Sequence, residues 1–172
     1  MTRGNRKCTD LQVTAKPKIF AIASAGGHFV QLCRLAPAWD GAELFYVTTD
    51  PGLRSRVENL AATRAQERPG FAVVTDANRN AKLKLVKCAF EVFRLVLRHR
   101  PDVVVTTGAA PGYFAVRAGK LIGAKTIWID SIANADEVSL SGARAGRHAD
   151  VWLTQWPELA SEGGPDFWGA VL

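Results

Sequence analysis

The sequence predicts an α/β fold: a single Rossmann-like, doubly wound parallel sheet covered by helices on both faces. Three observations carry that prediction. Short apolar runs alternate with longer amphipathic segments along most of the chain, the pattern of βα units. Two glycine-rich turns, SAGG and TGAAPG, each follow such a run. The length, 172 residues, suits one domain of about 100–200 residues.

Residues 1–16 read as a flexible basic lead-in, and 17–172 as the domain itself. Lys18 to Ala23 is apolar on both alternating sets of positions, as in a strand buried on both faces. Ser24 to Gly27 forms the turn, and His28 to Trp39 continues as a helix. Glu43 to Thr48 is the second strand, Gly52 to Ala62 a helix, and Phe71 to Thr75 the third strand. Lys82 to Arg98 is a helix. Asp102 to Thr106 is the fourth strand, and a helix from Pro111 to about Leu121 follows. Pro111 suits a first helical turn, where its missing N–H is not needed. Lys125 to Ile129 and Asp150 to Thr154 are the fifth and sixth strands, with a short helical stretch near Ser141–Arg147 between them. Phe167 to Leu172 reads as a last strand. In the usual order of such sheets, strands one and four are neighbours, and ligands bind beyond their carboxyl ends. The two glycine-rich turns then form opposite lips of one crevice.

Composition narrows the function classes. An apolar content of 48% and a charged content of 22% are globular values. Cys8, Cys33 and Cys88 are far apart, odd in number and lack zinc spacing, so they read as reduced thiols in a cytosolic setting. Residues 1–17 lack the apolar run of a secretory signal. No apolar stretch reaches the roughly eighteen residues of a membrane span. The net charge is +6. The segment from Arg79 to Arg100 alone accounts for as much, carrying seven cations against Glu91. Such a concentration suits an anionic partner. No helix-turn-helix, zinc or RNA-binding signature accompanies it, and the interleaved apolar residues are mostly aliphatic, so no nucleic-acid partner is expected.

Gly26 and Gly27 let the backbone approach a ligand, and the helix that follows aims its free amides at the crevice. A phosphate or pyrophosphate would fit, and so would a tight turn with no ligand. The turn lacks GxGxxG spacing, so no nicotinamide or flavin is implied and no cofactor is expected. His28 stands at the helix start. A neutral imidazole there can take a proton from a sugar hydroxyl as a general base, or merely hold a loop. Asp130 ends the fifth strand at the same edge, with Ser131 and Asn134 after it. Such groups hold sugar hydroxyls in these folds, or cap helices and brace loops. The helix from Lys82 has an apolar arc too wide for burial against a sheet alone. A neighbouring helix could cover the excess. The alternative is an anionic bilayer surface, with Lys84, Lys87, Phe90, Phe93 and Arg94 in contact. Trp152, Trp156 and Trp168 crowd the C-terminal end, as core or as interface residues.

The segments GGHFVQLCRL, DVVVTTGAAPGYFAV and DSIANADEVSLSGARAGRHADVWLTQWPEL resemble an oligosaccharide-biosynthesis family. It includes PssD-type bacterial polysaccharide proteins and the membrane-recruiting subunit of the split UDP-GlcNAc transferase acting on dolichol-linked sugars. MurG is a more distant relative. The resemblance spans about residues 17–172, and its specific part is the block from Asp130 to Glu158. It implies the N-terminal half of a GT-B glycosyltransferase: an acceptor-binding subunit for a lipid-linked acceptor. Such a subunit is peripheral on the cytoplasmic membrane face and works with a separate donor-binding subunit that holds the UDP-sugar. It places Gly26, Gly27 and His28 in the acceptor-side loop and Asp130, Ser131 and Asn134 in the polar loop facing the cleft, and Ser24 and Gly108 on the two turns are read as substrate-binding with them. His28 or Asp130 is the base, no metal is involved, and Gln155 and Trp156 lie near the partner. Relatives commonly carry glutamate where Asp130 stands. Eukaryotic members carry an N-terminal anchor that this sequence does not show, which leaves the basic helix to make any membrane contact. A purely recruiting, non-catalytic module is the alternative.

Overall fold

The computed structural model describes residues 15–77 and 81–171. The lead-in up to residue 14, Cys8, Arg79 and Leu172 lie outside them. Seven strands form one sheet: β1 (Lys18–Ile22), β2 (Glu43–Thr48), β3 (Gly70–Val73), β4 (Val103–Thr106), β5 (Lys125–Ile129), β6 (Val151–Thr154) and β7 (Asp166–Phe167). Their spatial order is β3-β2-β1-β4-β5-β6-β7, and every pairing is parallel. The helices are α1 (Gly27–Arg34), α2 (Arg54–Thr63), α3 (Lys82–His99), α4 (Ala109–Leu121) and α5 (Leu140–Gly146).

Strand periodicity divides the core. Phe20 and Ile22 of β1 face one layer, with Val47, Val104, Cys88, Val92 and Val96. Ala21 and Ala23 face the other, with Phe29, Leu32, Trp39, Tyr46 and Val57. Helices α3 and α4 therefore cover one face, and α1 and α2 the other, as right-handed crossovers require once the strand order reverses at β1. A third cluster, Val116, Trp128 and Ala145, lies beneath α5. Cys33 and Cys88 are buried free thiols. Burial, with the Glu91 and Asp76 charges nearby, pushes the Cys88 thiol up to about 12, so it stays a protonated core residue.

Two expected helices are broken. The run from His28 to Trp39 is α helix only to Arg34, followed by a 3₁₀ turn over Ala36–Trp39. Pro37 has no N–H to continue an α ladder, and its ring obstructs the preceding turn. The run from Gly52 likewise begins as a 3₁₀ turn, Pro51–Leu53, whose Gly52 N–H is capped by Asp50 at 2.8 Å. The final strand is shorter than expected: pairing ends at Phe167. The Val171 N–H donates instead to Gln155 Oε1 at 2.8 Å.

At the amino edge of the sheet, Asp150 accepts from Lys120 Nζ at 2.7 Å, Thr126 N at 2.8 Å and Thr126 Oγ1 at 2.9 Å. The Lys120 hydrogen bond is the largest influence. With the Thr126 donors it outweighs desolvation and holds the Asp150 carboxyl at about 2 against an ordinary 3.8. A carboxyl held low in the fold contributes stability above its unfolded pKa and loses it as pH falls through the folded one. We predict that the melting-temperature gap between wild type and Asp150→Asn is constant above pH about 4 and closes as pH falls toward about 2. A gap independent of pH would show that the three contacts do not act through the charge.

Candidate functional site

The crevice opens where β1 and β4 adjoin and their connections leave on opposite faces. Gly26 (φ 84°) and Gly108 (φ 126°) turn the chain into α1 and α4, in backbone regions that favour glycine. Neither helix has a side-chain cap, so the first amides of both have no partner within their helices. Ser24 is half-buried beyond β1, and Gly26 and Gly27 are exposed at the rim.

His28, the second residue of α1, is half-buried across this gap. Its Nδ1 lies 2.8 Å from Thr107 O, and Thr107 Oγ1 donates back to His28 O at 2.7 Å. A carbonyl oxygen only accepts, so Nδ1 carries the hydrogen and the neutral ring keeps its lone pair on Nε2. The ring rests against Gly108: a Cβ there would stand 2.9 Å from Nδ1. Glycine at 108 therefore serves both the turn and the histidine.

Asp130 follows β5 and is 2% exposed. Its Oδ1 accepts from Ser139 Oγ at 2.6 Å, Ser131 N at 3.1 Å and Asn134 Nδ2 at 3.3 Å, and its Oδ2 from Ser139 N at 2.8 Å. The carboxylate thus closes the loop 131–139 onto the end of β5. Ser139 continues the chain of contacts by accepting from Gly142 N at 2.9 Å as the N-cap of α5. A side chain at Gly142 would crowd Ser139 Oγ, Asp130 Oδ2 and Trp128 Nε1 together.

Behind this loop lies a buried amide pair. Gln31 Nε2 donates to Ser131 Oγ at 3.1 Å, and Gln31 Oε1 accepts from Ile132 N at 3.2 Å and Gln155 Nε2 at 2.7 Å. Gln155 Nε2 also donates to Asp130 O at 2.8 Å. Trp156 Nε1 donates to Ile132 O at 2.9 Å. One network thereby joins α1, the loop after β5, the end of β6 and the C-terminal segment.

The structure brings Ser24, Gly26, Gly27, His28, Gly108, Asp130, Ser131 and Asn134 to the same sheet edge. It departs from the sequence reading at three residues. Ser131, expected to face the cleft, is 4% exposed, and its Oγ accepts from Gln31 Nε2 and Ala133 N. Gln155, expected near a partner, is 3% exposed, and its amide is committed to internal partners. Phe93, expected on a membrane face, is partly buried against the α3–α4 core layer. The exposed apolar residues of α3 are Leu83, Val86, Phe90 and Leu97. Lys84, Lys87 and Arg94 are exposed as expected. Gln31, Thr107 and Ser139 were missed. A lone amide among Phe29, Leu32 and Cys33 was a usable signal for Gln31. Thr107 and Ser139 act through backbone geometry that no spacing announces.

The model of the family described as "Oligosaccharide biosynthesis protein Alg14 like" matches residues 19–171, and the chain belongs to that family. Two curated relatives are both called UDP-N-acetylglucosamine transferase subunit ALG14. That of Yarrowia lipolytica is 26% identical, covering 86% of this chain and 77% of the relative. That of Eremothecium gossypii is 27% identical, covering 83% and 74%. Among solved structures, MurG of Acinetobacter baumannii superposes with a TM-score of 0.67 at 16% identity, covering 88% of this chain and 45% of MurG. A putative UDP-N-acetylglucosamine 2-epimerase of Listeria monocytogenes gives 0.60 at 12% identity, covering 83% and 40%. The chain thus spans less than half the length of these two enzymes, and the likeness is one of fold.

The amide pair generates a test. Replacing Gln155 by Leu removes the partner of the Val171 N–H and leaves Gln31 Oε1 with Ile132 N alone. We predict a loss of about 1–3 kcal/mol in urea unfolding and faster amide exchange at Val171. Unchanged exchange there would mean that the C-terminal segment is held by other contacts.

Proposed function

We propose that this chain is the acceptor-binding, membrane-associating subunit of a two-component glycosyltransferase. It works with a separate donor-binding subunit, which brings a UDP-sugar to a lipid-linked acceptor in polysaccharide or oligosaccharide biosynthesis. Family membership supports the transferase class, and the relatives' names supply the UDP-sugar and the word subunit. The observation that carries the reading is the His28 ring, held across the crevice by Thr107 with its Nε2 free of the hydrogen bond that orients it.

In this reading the acceptor hydroxyl lies at Nε2. It attacks the anomeric carbon of the donor sugar from the face opposite the diphosphate. The new C–O bond forms as the bond to UDP breaks, UDP leaves with the electron pair, and the hydroxyl proton passes to Nε2. Asp130 is the weaker candidate for that proton, because its carboxylate is buried and already accepts four hydrogen bonds. Its role is to hold the loop 131–139 in place, with the half-buried Asn134 on the acceptor side. The amides at the starts of α1 and α4 favour negative charge nearby.

Helix α3 supplies the membrane contact. Leu83, Val86, Phe90 and Leu97 recur on one exposed strip, and Lys87, Arg94 and Arg98 occupy the adjoining strip. An apolar strip beside a basic one is the pattern of a helix lying in an anionic interface. No described helix is long and apolar enough to cross a membrane. The proposed attachment is to the cytoplasmic face, by this helix.

Two measurements test the reading. In the reconstituted pair of subunits, His28→Ala lowers turnover by about 10²–10⁴-fold with the fold retained by circular dichroism, although loss of the Thr107 contact lowers the melting temperature. Turnover that survives the change would favour the purely recruiting role. Anionic vesicles retain the wild-type chain, and Phe90→Glu or the pair Lys87→Glu and Arg94→Glu releases it. Retention equal to wild type in both variants would remove α3 from the membrane.

A further inference from the structure

A pocket of about 460 Å³ opens between α3, α4 and α5, beside the crevice but separate from the His28 ring. Its volume falls in the range of about 300–1,000 Å³ typical of small-molecule sites. Leu85 of α3, Ala109, Tyr113 and Phe114 of α4, and Leu140 of α5 make its wall largely apolar. Among the described residues the wall has one charged side chain, Arg144. Arg144 is exposed and joins none of the ion pairs formed among the described residues. An apolar cleft with one uncommitted guanidinium at its edge is complementary to an amphiphile whose anionic group sits at the end of an apolar chain.

The neighbours of the pocket on either side bear on the direction in which such a molecule lies. Outward, Leu85 is flanked on α3 by Leu83 and Val86, which are 88% and 69% exposed. Leu85 itself faces inward, about 160° and about 100° round the helix from them, so the pocket wall and the exposed strip share the first turns of α3 on different faces. Inward, Ala109 directly follows Gly108, the residue against which the His28 ring rests. Ser139 of the wall donates to Asp130, so the inner end adjoins the polar loop. We propose that this pocket holds the head-proximal carbons of a single-chain lipid phosphate, with Arg144 contacting the phosphate and the remainder of the head group directed to His28. This assignment rests on the acceptor-subunit reading and specifies where the chain and the phosphate of that acceptor are held. Arg144 is a binding residue that selects a charged lipid over a neutral one.

The test uses the full chain and decyl phosphate below its micelle concentration, followed by isothermal titration calorimetry. Decanol and inorganic phosphate are the two control ligands. Decyl phosphate is expected to bind at least about tenfold more tightly than either, because only it meets both the apolar wall and the guanidinium. Arg144→Gln reduces decyl phosphate affinity by about tenfold and leaves decanol binding unchanged. Leu140→Glu, at a half-exposed position of the wall, weakens decyl phosphate and decanol alike, with circular dichroism confirming the fold. Decyl phosphate binding no better than decanol, or unaffected by Arg144→Gln, overturns the role of Arg144. Inorganic phosphate binding as well as decyl phosphate overturns the lipid assignment. The titration requires no donor, partner or turnover, so the pocket stands if sugar transfer fails. Conversely, a reconstituted pair that transfers sugar while decyl phosphate fails to bind loses the pocket alone.

Discussion

The structure depends on one topological constraint: β1 and β4 are parallel neighbours whose connections depart on opposite faces of the sheet. Helix α1 cannot cover the end of β4, and α4 cannot cover the end of β1. A gap is left between their two starting turns, and everything polar at the site is arranged around it. The lips approach at Gly108, where the His28 ring occupies the space a side chain would take. The gap is bridged from one lip to the other by the His28–Thr107 pair, in which each residue supplies one donor and one acceptor. The Nδ1–H bond to Thr107 O fixes the ring's orientation and tautomer, and the return bond from Thr107 Oγ1 to the His28 backbone carbonyl ties the two turns together.

The second layer of order comes from burying polar groups that cannot be left unmatched. Asp130 is almost wholly removed from solvent, and a buried carboxylate is tolerated only when hydrogen bonds replace its lost hydration. Ser131, Asn134 and Ser139 provide them, two through backbone amides, and this obliges the loop to wrap around the carboxylate. The Gln31–Gln155 pair acts similarly between α1 and β6. Each amide uses both its donor and its acceptor ends internally, so a shift in one element would strand polar atoms of another. The crevice is therefore framed by rigid parts, although its loops are irregular. That rigidity suits the placement of a hydroxyl beside Nε2, where small displacements are costly.

The sequence made the scaffold legible because fully buried parallel strands are written as continuous apolar runs. The bounds of β2 and β5 coincide with the residue patterns, and the strand order followed from the usual winding of such sheets. The misreadings have physical sources. Pro37 interrupts a helix that apolar periodicity alone would extend. Phe93 and Phe90 look alike in sequence and lie only about 60° apart round the helix, but Phe93 falls at the margin of the face packed on the core layer and Phe90 beyond it. Gln155 reads as a surface polar residue until the Gln31 amide is seen opposite it, 124 positions earlier in the chain. His28 and Asp130 were both legible as polar residues at strand and helix ends. Their different surroundings were not, since these depend on which groups the folded loop turns toward each.

Helix α3 shows how one segment can serve the fold and the surface at once. Cys88, Val92 and Val96 form its buried face, and that face suffices to hold it on the sheet. The outward residues add nothing to that packing. Leu83, Val86, Phe90 and Leu97 remain exposed although α4 lies directly alongside, so the neighbouring helix does not cover the excess. Burying a large apolar side chain is worth about 1.5–3 kcal/mol, and a cation near an anionic surface contributes about 1 kcal/mol. Neither strip would be expected to anchor the chain firmly alone, because stable peripheral attachment takes two signals. Their juxtaposition on a single rigid helix presents both in one orientation. That orientation also matters for the proposed chemistry, since the amino end of α3 lies at the sheet edge that carries His28. A bilayer meeting this helix would lie against its first turns, which also contribute Leu85 to the neighbouring pocket.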